Sequence, residues 1–275
     1  DIDWGTETVL RRTMDRADEI HLSVSHLDLL TDIDYPRDLS LCREMGFLKD
    51  RSQSISVIIA ALNEEAHIQK TLSSALPGAH EVIVADGGSR DHTAARAKEA
   101  GASVITAHHC RACQFNRAAL QARGDILLFL HADTRLPLEY TQAVRIAVRT
   151  SGFALGAFRL AIDSDNRAVH CIENFANIRS ARFNLPYGDQ AFFITKRTFL
   201  RMGGFSGIPV MEDYELTRRA RHRGRIITVA KHVLTSSRRW KHRGIVRTTL
   251  INQLMLIGFT LGIPPAHLAA LYRKT

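Results

Sequence analysis

The stretch Asp125-Ile-Leu-Leu-Phe-Leu-His-Ala-Asp-Thr-Arg135 decides how the rest of the chain is interpreted. Its five apolar residues, Ile126 to Leu130, form an uninterrupted run that is typical of a strand buried on both faces of a parallel sheet. Polar residues follow at once, and ligands of open α/β sheets bind at the carboxyl ends of the strands. Asp133 is therefore either a carboxylate that coordinates a divalent cation on a diphosphate or, with Thr134, the start of a helix whose first turn would suit Pro137.

The segments before this stretch alternate between strand-like and helix-like patterns. Apolar runs of strand length are separated by helical patterns and short loops, an order that favours right-handed βαβ units. We therefore predict an α/β fold with a mostly parallel sheet flanked by helices. The predicted strands are Ile55–Ala61, Glu81–Ala85, Ala102–Ala107 and Ile126–Leu130. The first predicted helix runs from just after Asn63 to Leu76, with Ile68, Leu72, Ala75 and Leu76 on one face, and the next two cover Thr93–Ala100 and Cys113–Ala122.

Capping residues mark the ends of the predicted helices. Asn63 is expected to be the N-cap of the first helix, with Glu64 and Glu65 as acidic residues of its first turn. Pro77-Gly78 is expected to end that helix, and Gly124 to close the third one.

Polar residues directly follow three of the predicted strands. Because the carboxyl ends of parallel strands meet at one edge of a sheet, these residues are expected to form a binding cleft. Gly87-Gly88 permits a close backbone approach or a positive φ, and carboxylates beside it can accept hydrogen bonds from a base or a ribose. The glycine spacings of a Walker loop and of a dinucleotide fingerprint are both absent. The residues expected at this edge are Asn63, Glu64, Asp86, Gly87, Gly88 and Asp133.

Length and charge narrow the class of protein. The chain has 275 residues, 45% of them hydrophobic, which is enough for one sizeable core. Its net charge of +9 indicates an anionic partner, and eleven Lys and Arg residues lie between Arg218 and Arg247. This cluster suits a phosphorylated ligand, an anionic membrane surface or nucleic acid, or it is simply a solvated basic face. It lacks the interleaved aromatic residues of a single-strand binder, so we expect no nucleic-acid partner.

The cysteines and the apolar segments indicate a cellular location. Four unevenly spaced cysteines do not form a disulfide framework, so we predict a reducing, cytoplasmic environment. Cys110 and Cys113 have the spacing of a redox pair or of half a zinc site, but no second close pair accompanies them.

The apolar region from Thr248 to Pro265 is interrupted by polar residues and glycines and is too short for a spanning helix. We expect no transmembrane segment.

The second half of the chain is predicted to extend the sheet and to end in helices. The segment Asn166–Phe183 has apolar residues at helical spacing, which is more typical of core packing than of a ligand site. Helices predicted at Thr248–Gly262 and Pro265–Arg273 are apolar enough to make a peripheral contact with the inner face of a membrane, to form a homodimer, or only to cover the sheet. Further strands are predicted at Gly156–Leu160 and Ala191–Ile194, and a helix at Asp213–Gly224.

Three strand-end segments carry a family resemblance: Ser56–Glu65, Val84–Asp91 with its Asp86-Gly-Gly-Ser turn, and Leu128–Thr134. Together they resemble family 2 glycosyltransferases, which have the GT-A fold, and the resemblance extends from about Ser54 to the C-terminus. Within that family the chain is most similar to a bacterial branch associated with radical-SAM and selenodomain genes. The blocks shared with this branch are Arg111-Ala-x-Gln114-x-Asn116, Gly188-Asp189-Gln190 and Met211-Glu212-Asp213.

The resemblance implies a metal-assisted, inverting transfer of a sugar from a nucleotide-diphosphate donor to an unknown acceptor hydroxyl. It implies that Asp133, at the end of a His-Ala-Asp version of the Asp-x-Asp motif, holds Mg²⁺ or Mn²⁺ on the diphosphate. His131 replaces the first Asp of that motif, which removes a hard oxygen ligand and is expected to alter the metal preference. Ala60 and Leu62 stand where many members have Pro and Tyr. The residues implied to bind the nucleotide-sugar are Asn63, Glu64, Asp86, Gly87, Arg111, Gln114 and Asp133.

The resemblance also implies an acceptor side, with Asp213 as the catalytic base that takes the proton from the acceptor hydroxyl. Because Asp213 opens a predicted helix, capping is the alternative role, and Trp240 is equally compatible with a place in the core. Two other classes of protein are also compatible with the sequence. A nucleotidyltransferase would share the cleft and the metal without needing Asp213, and a catalytically silent domain would only bind a nucleotide or an anion. The residues implied on the acceptor side are Gly188, Asp189, Gln190, Glu212, Arg239 and Trp240.

Residues 1–53 do not have the pattern of a complete domain. The run from Trp4 through Asp38 resembles the closing segment of nucleotidyltransferase-like proteins, a family sometimes fused ahead of this kind of domain. The resemblance implies a C-terminal remnant of such a domain plus a linker in residues 1–53, followed by a family 2 domain in residues 54–275. The nucleotide loop of the first domain would be missing, so we assign this segment no activity.

Overall fold

The computed structural model describes residues 15–16, 19–20, 53–107 and 110–274, apart from the side chains at positions 239, 242, 243, 273 and 274. The chain separates into two compact units, Asp1–Arg51 and Ser52–Thr275. The predicted nucleotidyltransferase-like remnant lies almost entirely outside the described residues and stays a prediction.

The first half of the second unit alternates strictly between strands and helices. Its elements are β1 (Ile55–Ala61), α1 (Ile68–Ala75), β2 (Glu81–Asp86), α2 (Thr93–Glu99), β3 (Ser103–Thr106), α3 (Arg111–Gln121) and β4 (Ile126–His131). The four strands pair in parallel in the order β3-β2-β1-β4. The predicted parallel sheet is therefore confirmed, with strand ends within two residues of those expected from the sequence.

The second half extends the same sheet with strands of mixed direction. β7 (Phe192–Thr195) pairs antiparallel with β4, and β6 (Phe153–Asp163) follows β7. β8 (Arg225–Ser236) lies parallel to β6, and β5 (Thr134–Arg135) pairs antiparallel with β8 at the far edge. The elements are β5 (Thr134–Arg135), α4 (Tyr140–Val148), β6 (Phe153–Asp163), α5 (Arg167–Phe183), a 3₁₀ turn (Gly188–Gln190), β7 (Phe192–Thr195), α6 (Lys196–Arg201), α7 (Glu212–Arg221), β8 (Arg225–Ser236), α8 (Arg238–Arg243), α9 (Ile245–Thr260) and α10 (Pro265–Lys274).

Strand β4 is buried on both faces, as its apolar run predicts. Ile126, Leu128 and Leu130 join a core cluster on one side of the sheet, which also contains residues of α1 and α4. Leu127 and Phe129 join a second cluster on the other side, formed with α3, α6 and α7. Two helical layers thus cover the centre of the sheet, which leaves the carboxyl ends of β1 and β4 free to line a cleft.

The predicted N-cap of α1 is wrong. The helix begins at Ile68, and its first turn has no acidic residue. Asn63 has a left-handed backbone with φ +53°, and its side-chain oxygen accepts a hydrogen bond from the Arg90 N–H at 2.9 Å. The loop after β1 is therefore tied to the loop after β2, and this cross-connection delays the start of the helix.

The helix-start interpretation of Asp133-Thr134 is also wrong. Thr134 opens the short strand β5 and is paired with Thr235 of β8, to which its hydroxyl donates a hydrogen bond at 3.0 Å. The next helix begins only at Tyr140. Pairing with β8 satisfies the backbone here, so Asp133 occupies the turn between two strands and does not cap a helix.

Helix α5 confirms its predicted bounds but not its predicted packing. Asn166 caps the helix by accepting a hydrogen bond from the Ala168 N–H at 2.9 Å. Val169 is buried, whereas Phe175 and Ile178 are 74% and 52% exposed. Core packing therefore holds for only part of the apolar set, since helical spacing does not say which of its flanks meets the sheet.

The C-terminal helices form a small cluster of their own. Ile251 and Met255 of α9 pack with Leu268 of α10 and with Val210 and Met211 in the loop before α7. In the described part of the chain no helix combines the length and the apolar character that crossing a membrane would need.

Candidate active site

Two adjoining cavities lie at the carboxyl ends of the central strands. The first, which we call the strand-end cleft, has a volume of about 540 Å³. The second, the α9 cavity, has a volume of about 420 Å³ and is closed on one side by α9 and α10. The residues that line both are Arg111, His131, Asp189, Asn252 and Tyr272, so the two spaces meet at these side chains.

The strand-end cleft contains a carboxylate, that of Glu64, which Arg238 holds by a hydrogen bond and which lies near His67. Glu64 Oε1 accepts a hydrogen bond from Arg238 Nη2 at 2.5 Å, and Glu64 Oε2 lies 3.2 Å from His67 Nδ1. The Glu64 N–H donates to Thr93 Oγ1 at 2.8 Å, which holds the backbone of the loop. Glu64 is thus oriented before any ligand arrives.

Asp133 faces the same cleft from the turn between β4 and β5. Its carboxylate is 24% exposed and lies 3.9 Å from Arg238 Nη2. Burial raises the pKa of Asp133, and the charge of Glu64 raises it further, while Arg238 opposes both. A second cation beside Asp133 would therefore stabilise its ionised form.

A divalent cation fits this carboxylate only together with a ligand. Among the described residues no group of three or more His, Cys, Asp or Glu side chains is arranged to hold a metal ion. Mg²⁺ is commonly bound by one or two carboxylates and completed by substrate phosphates and water, a pattern for which Asp133 is sufficient. The chain's own donor set favours a cation that arrives with a diphosphate over a resident metal.

His131 and Arg111 link the two cavities. His131 Nε2 lies 3.2 Å from Arg111 Nη1, and Arg111 Nε donates to Glu212 Oε1 at 2.6 Å. Burial alone would lower the pKa of Arg111, but the charges of Glu212 and Asp213 outweigh it and raise that pKa. Arg111 therefore stays a cation at the junction, and His131, at the position of the missing first Asp, contacts that cation.

Asp86 and Gly87 lie at the carboxyl end of β2, outside the lining of both cavities. Asp86 is 6% exposed, and its Oδ2 accepts hydrogen bonds from the N–H groups of Gly88 and Ser89, each at 3.0 Å. It lines neither cavity. A Cβ on Gly87 would lie 2.8 Å from Gln114 Nε2, which explains the glycine there.

Gln114 connects the ends of two strands and also lines the cleft. Its Nε2 donates to the carbonyl oxygens of Ala61 and Ala85 at 3.0 and 2.9 Å. The side chain is 8% exposed. Its amide therefore holds β1 and β2 at their carboxyl ends, in addition to any contact with a ligand.

Asp213 projects into the α9 cavity from the first turn of α7. Its Oδ2 accepts a hydrogen bond from the Gly188 N–H at 2.8 Å, and its Oδ1 accepts one from the Tyr214 N–H at 2.8 Å. Met211, just before the helix, has φ +67°. The bond to Tyr214 is a local helix-end contact, but the bond to Gly188 crosses 25 residues and orients the carboxylate in the cavity.

Glu212, the residue directly before Asp213, is 2% exposed. Burial raises its pKa, the hydrogen-bonded Arg111 lowers it, and the net direction is upward.

In the segment Gly188–Gln190, Asp189 and Gln190 make different kinds of contact. The Gln190 side chain is fully buried, donates to the Phe158 carbonyl at 2.9 Å and accepts from the Tyr187 N–H at 3.2 Å. Asp189 lines both cavities. Gln190 is thus engaged with the backbone, whereas Asp189 is placed where a ligand can reach it.

Helix α8 brings a further cation and an aromatic ring to the cleft. Arg238 and Trp240 both line the cleft. Trp240 also packs against the core cluster that contains residues of α1 and α4. The side chain of Arg239 lies outside the described part of the chain, so its expected role stays a prediction. The sequence identified this Arg-Arg-Trp block, but no pattern distinguished Arg238 from its neighbour.

Sequence reasoning did not identify the contribution of the C-terminal helices to the site. Asn252, Met255, Leu256, Ala269 and Tyr272 line the α9 cavity. The signal that could have found them is a polar residue, Asn252, inside an apolar helix.

The mixed α/β sheet flanked by helices, with a cleft at the carboxyl ends of its central strands, has the GT-A fold. The sequence model of the family described as glycosyl transferase family 2 matches residues 56–210, more than half of the chain. The chain therefore belongs to glycosyl transferase family 2, and it is a glycosyltransferase.

Solved structures share this fold. Glucosyl-3-phosphoglycerate synthase from Mycobacterium tuberculosis, in complex with Mn²⁺, uridine diphosphate and phosphoglyceric acid, is 20% identical, with 77% of this chain and 80% of that chain covered and a TM-score of 0.55. TarS 1–349 of S. aureus is 17% identical, with 67% and 60% covered and a TM-score of 0.54. GalNAc-T7 with UDP, GalNAc and Mn²⁺ is 12% identical, with 68% and 44% covered and a TM-score of 0.55. No curated protein sequence matches the chain.

Proposed function

We propose that the protein transfers a sugar from a nucleotide-diphosphate donor to an acceptor hydroxyl, with inversion at the anomeric carbon. The observation that carries this proposal is the pair of adjoining cavities. One contains Glu64, Asp133 and Arg238, the other contains Asp213, and Arg111 stands between them. A donor and an acceptor can thus meet at one point while each keeps its own polar contacts.

The strand-end cleft is proposed to hold the donor. Arg238 and Arg111 supply fixed positive charge for a diphosphate, and Glu64 offers a carboxylate for hydroxyl groups. Asp133 would hold a divalent cation, Mg²⁺ or Mn²⁺, that accompanies the diphosphate and neutralises its charge as it leaves. The presence of UDP with Mn²⁺ in the mycobacterial synthase and in GalNAc-T7 supports this assignment.

Asp213 is proposed to be the catalytic base. Its carboxylate takes the proton of the acceptor hydroxyl while the hydroxyl oxygen bonds to the anomeric carbon, and the bond from that carbon to the diphosphate breaks with its electron pair. The hydrogen bond from the Gly188 N–H supports this role, because it orients the carboxylate across the cavity.

The charges of the α9 cavity support a class of acceptor. Three carboxylates, those of Asp189, Glu212 and Asp213, line this cavity, and among its described lining residues Arg111 contributes the one guanidinium. Apolar side chains such as Val210, Met255 and Leu256 also line this cavity. We propose an uncharged acceptor with an apolar portion, unlike the phosphoglyceric acid bound by the mycobacterial synthase.

The finer family placement and the location belong to the same proposal. The blocks shared with the radical-SAM and selenodomain-associated branch contact one another, since Arg111 binds Glu212 and Gly188 binds Asp213. We propose membership of that branch on this ground. Free thiols at Cys110, Cys113 and Cys171 support a reducing, cytoplasmic location, and the C-terminal helices offer a surface for peripheral membrane contact or for a homodimer.

The test is thermal unfolding with UDP, GDP, CDP and ADP, with and without Mn²⁺. Ligand near a hundred times its dissociation constant adds about 2.7 kcal/mol, a shift of several degrees for a chain of this size. We expect one nucleotide to give a Mn²⁺-dependent shift that Asp133→Ala removes, while the exposed Asp163→Ala keeps it. If no nucleotide shifts the midpoint, the donor assignment is wrong.

The two rival classes predict different results. A nucleotidyltransferase would retain turnover in Asp213→Asn, because its chemistry does not need a base on the acceptor side. A silent nucleotide- or anion-binding domain would bind its ligand equally well after Asp133→Ala. Loss of sugar transfer in the first variant and loss of metal-dependent binding in the second would exclude both.

A further inference from the structure

Helix α9 has an apolar stripe that faces solvent. The stripe consists of Val246, Leu250, Leu254 and Ile257 of the helix and of Leu261, its C-cap residue. They follow one another at intervals of three or four residues, the spacing of a single helix face. Their exposed fractions are 72%, 58%, 57%, 53% and 77%. A run of five exposed aliphatic side chains on one face marks an interaction surface.

The opposite face of α9 already has its partners. Ile251 and Met255 are buried against α10, and Asn252 and Leu256 line the α9 cavity. The helix therefore contacts the protein with one face, and the stripe on the other face does not contribute to the core.

The surroundings of the stripe are strongly basic. Residues 237–275 contain no Asp or Glu and seven Lys or Arg residues, so their formal charge is +7. Lys241 and Arg247, just before the stripe and beside its first residue, are exposed. Aliphatic side chains and exposed cations in a segment that contains no carboxylate complement a lipid surface, which is apolar in its interior and anionic at its headgroups.

We propose that this stripe docks the protein on an anionic lipid bilayer, with α9 lying in the plane of the interface. A helix of 16 residues is about 24 Å long, so the stripe presents a linear contact of that length. Its aliphatic residues enter the boundary between headgroups and acyl chains, while the basic residues meet the anionic headgroups. This proposal does not depend on sugar transfer and is tested without it.

A second copy of the chain fits this surface less well. A twofold interface would bring the same stripe of each protomer together and would place one basic segment against the other. Like charges that face each other oppose association, and no carboxylate within residues 237–275 would compensate.

The test is co-sedimentation of the whole chain with vesicles of phosphatidylcholine alone and of phosphatidylcholine mixed with phosphatidylglycerol. We expect binding only to the anionic vesicles. The triple variant Leu250→Glu/Leu254→Glu/Ile257→Glu should reduce that binding at least about tenfold, since it places three carboxylates in the interface. The matched control is Leu120→Glu/Leu138→Glu/Ile146→Glu, which adds the same charge at exposed apolar positions elsewhere and should keep the binding.

Several results would overturn the proposal. They are absence of wild-type binding to anionic vesicles, unchanged binding by the stripe variant, or an equal loss in the control variant. A wild type that elutes as a dimer and becomes a monomer in the stripe variant, without vesicle binding, would assign the surface to a second copy. If the triple variant unfolds early, Leu250→Gln and Ile257→Gln give the same comparison with smaller losses.

Discussion

The two carboxylate oxygens of Asp213 accept hydrogen bonds from two different backbone N–H groups, one local and one from Gly188. Asp213→Asn keeps the size of the side chain and removes its ability to take a proton. We expect kcat to fall by about 10²- to 10⁴-fold with little change in KM, because a general base acts in the transition state. Steady-state kinetics, with the donor that thermal unfolding identifies, measure kcat and KM separately.

The control for this variant is Asp163→Asn, an exposed carboxylate paired with Arg135. It should leave both kinetic parameters unchanged. Should Asp213→Asn raise KM and leave kcat intact, the carboxylate would be a binding group and the assignment of the base would be wrong.

Asp133 gives a prediction about stability as well as binding. Burial and the charge of Glu64 raise its pKa in the folded protein. The unfolded chain therefore loses this proton at lower pH than the folded chain does, and stability falls as the pH rises from the ordinary Asp pKa through the raised value. At neutral pH, Asp133→Asn should raise the unfolding midpoint of the ligand-free protein, by on the order of 2 °C.

The pH dependence distinguishes this effect from a change in packing. The difference between Asp133→Asn and the wild type should vanish at acid pH, where both states are protonated, and reach its full size above the folded-state pKa. The same variant should lose the Mn²⁺-dependent nucleotide shift. A variant that is less stable than the wild type at neutral pH would contradict the proposed penalty.

At the scale of single residues, the sequence predicted positions better than contacts. Asp133, Glu64 and Arg111 could be assigned to the cleft because they follow strands or open a helix, and strand ends gather at one edge. The burial of Gln190 and the hydrogen bond from Arg238 to Glu64 could not be predicted, because they depend on partners that are distant in sequence.

Among the elements, the junction between α3 and β4 depends on a close backbone approach. The Gly124 N–H donates to Ser56 Oγ at 2.8 Å, and a Cβ on Gly124 would lie 2.6 Å from the Ser56 backbone nitrogen. Gly124→Ala must therefore separate α3 from β1 or strain the turn. We expect it to destabilise the fold by about 1 to 3 kcal/mol, measured as a lower midpoint of thermal or urea unfolding.

Gly207 provides the matched control. A Cβ there would have no neighbour within 4 Å, and its φ is not in the left-handed region. Gly207→Ala should leave the midpoint within about 0.5 kcal/mol of the wild type. Equal losses in both variants would mean that alanine acts through the general flexibility of the chain and not through the contact with Ser56.

This junction also shows how far elements could be predicted. The sequence located the third helix and the glycine after it, but interpreted Gly124 as a helix cap, whereas the need for glycine comes from β1. The same applies to Asn63 and Thr134, whose partners Arg90 and Thr235 are 27 and 101 residues away. Periodicity and caps report local geometry, so long-range pairing overrode the predicted helix starts at Asn63 and at Asp133-Thr134, while the order of elements from β1 to β4 is as predicted.

At the scale of the whole molecule, basic and acidic residues are concentrated at different sites. The chain has a net charge of +9, and its C-terminal segment is basic, yet the α9 cavity contains Asp189, Glu212 and Asp213. The net charge alone indicated an anionic partner. The distribution supports anionic ligands at the strand-end cleft and at the exposed stripe of α9, but an uncharged acceptor between them.

This distribution leads to a prediction about acceptors. With the donor that gives the largest unfolding shift, transfer to an uncharged n-octyl glycoside should exceed transfer to phosphoglyceric acid by at least about tenfold, because like charges that face each other in a cavity cost several kcal/mol. Mass spectrometry of the products measures the ratio. Asp189→Asn removes one carboxylate and should lower the ratio of transfer to the glycoside over transfer to phosphoglyceric acid. The exposed Asp163→Asn should leave this ratio unchanged. Equal transfer to both acceptors in the wild type would show that the carboxylates of the α9 cavity do not select against an anionic acceptor.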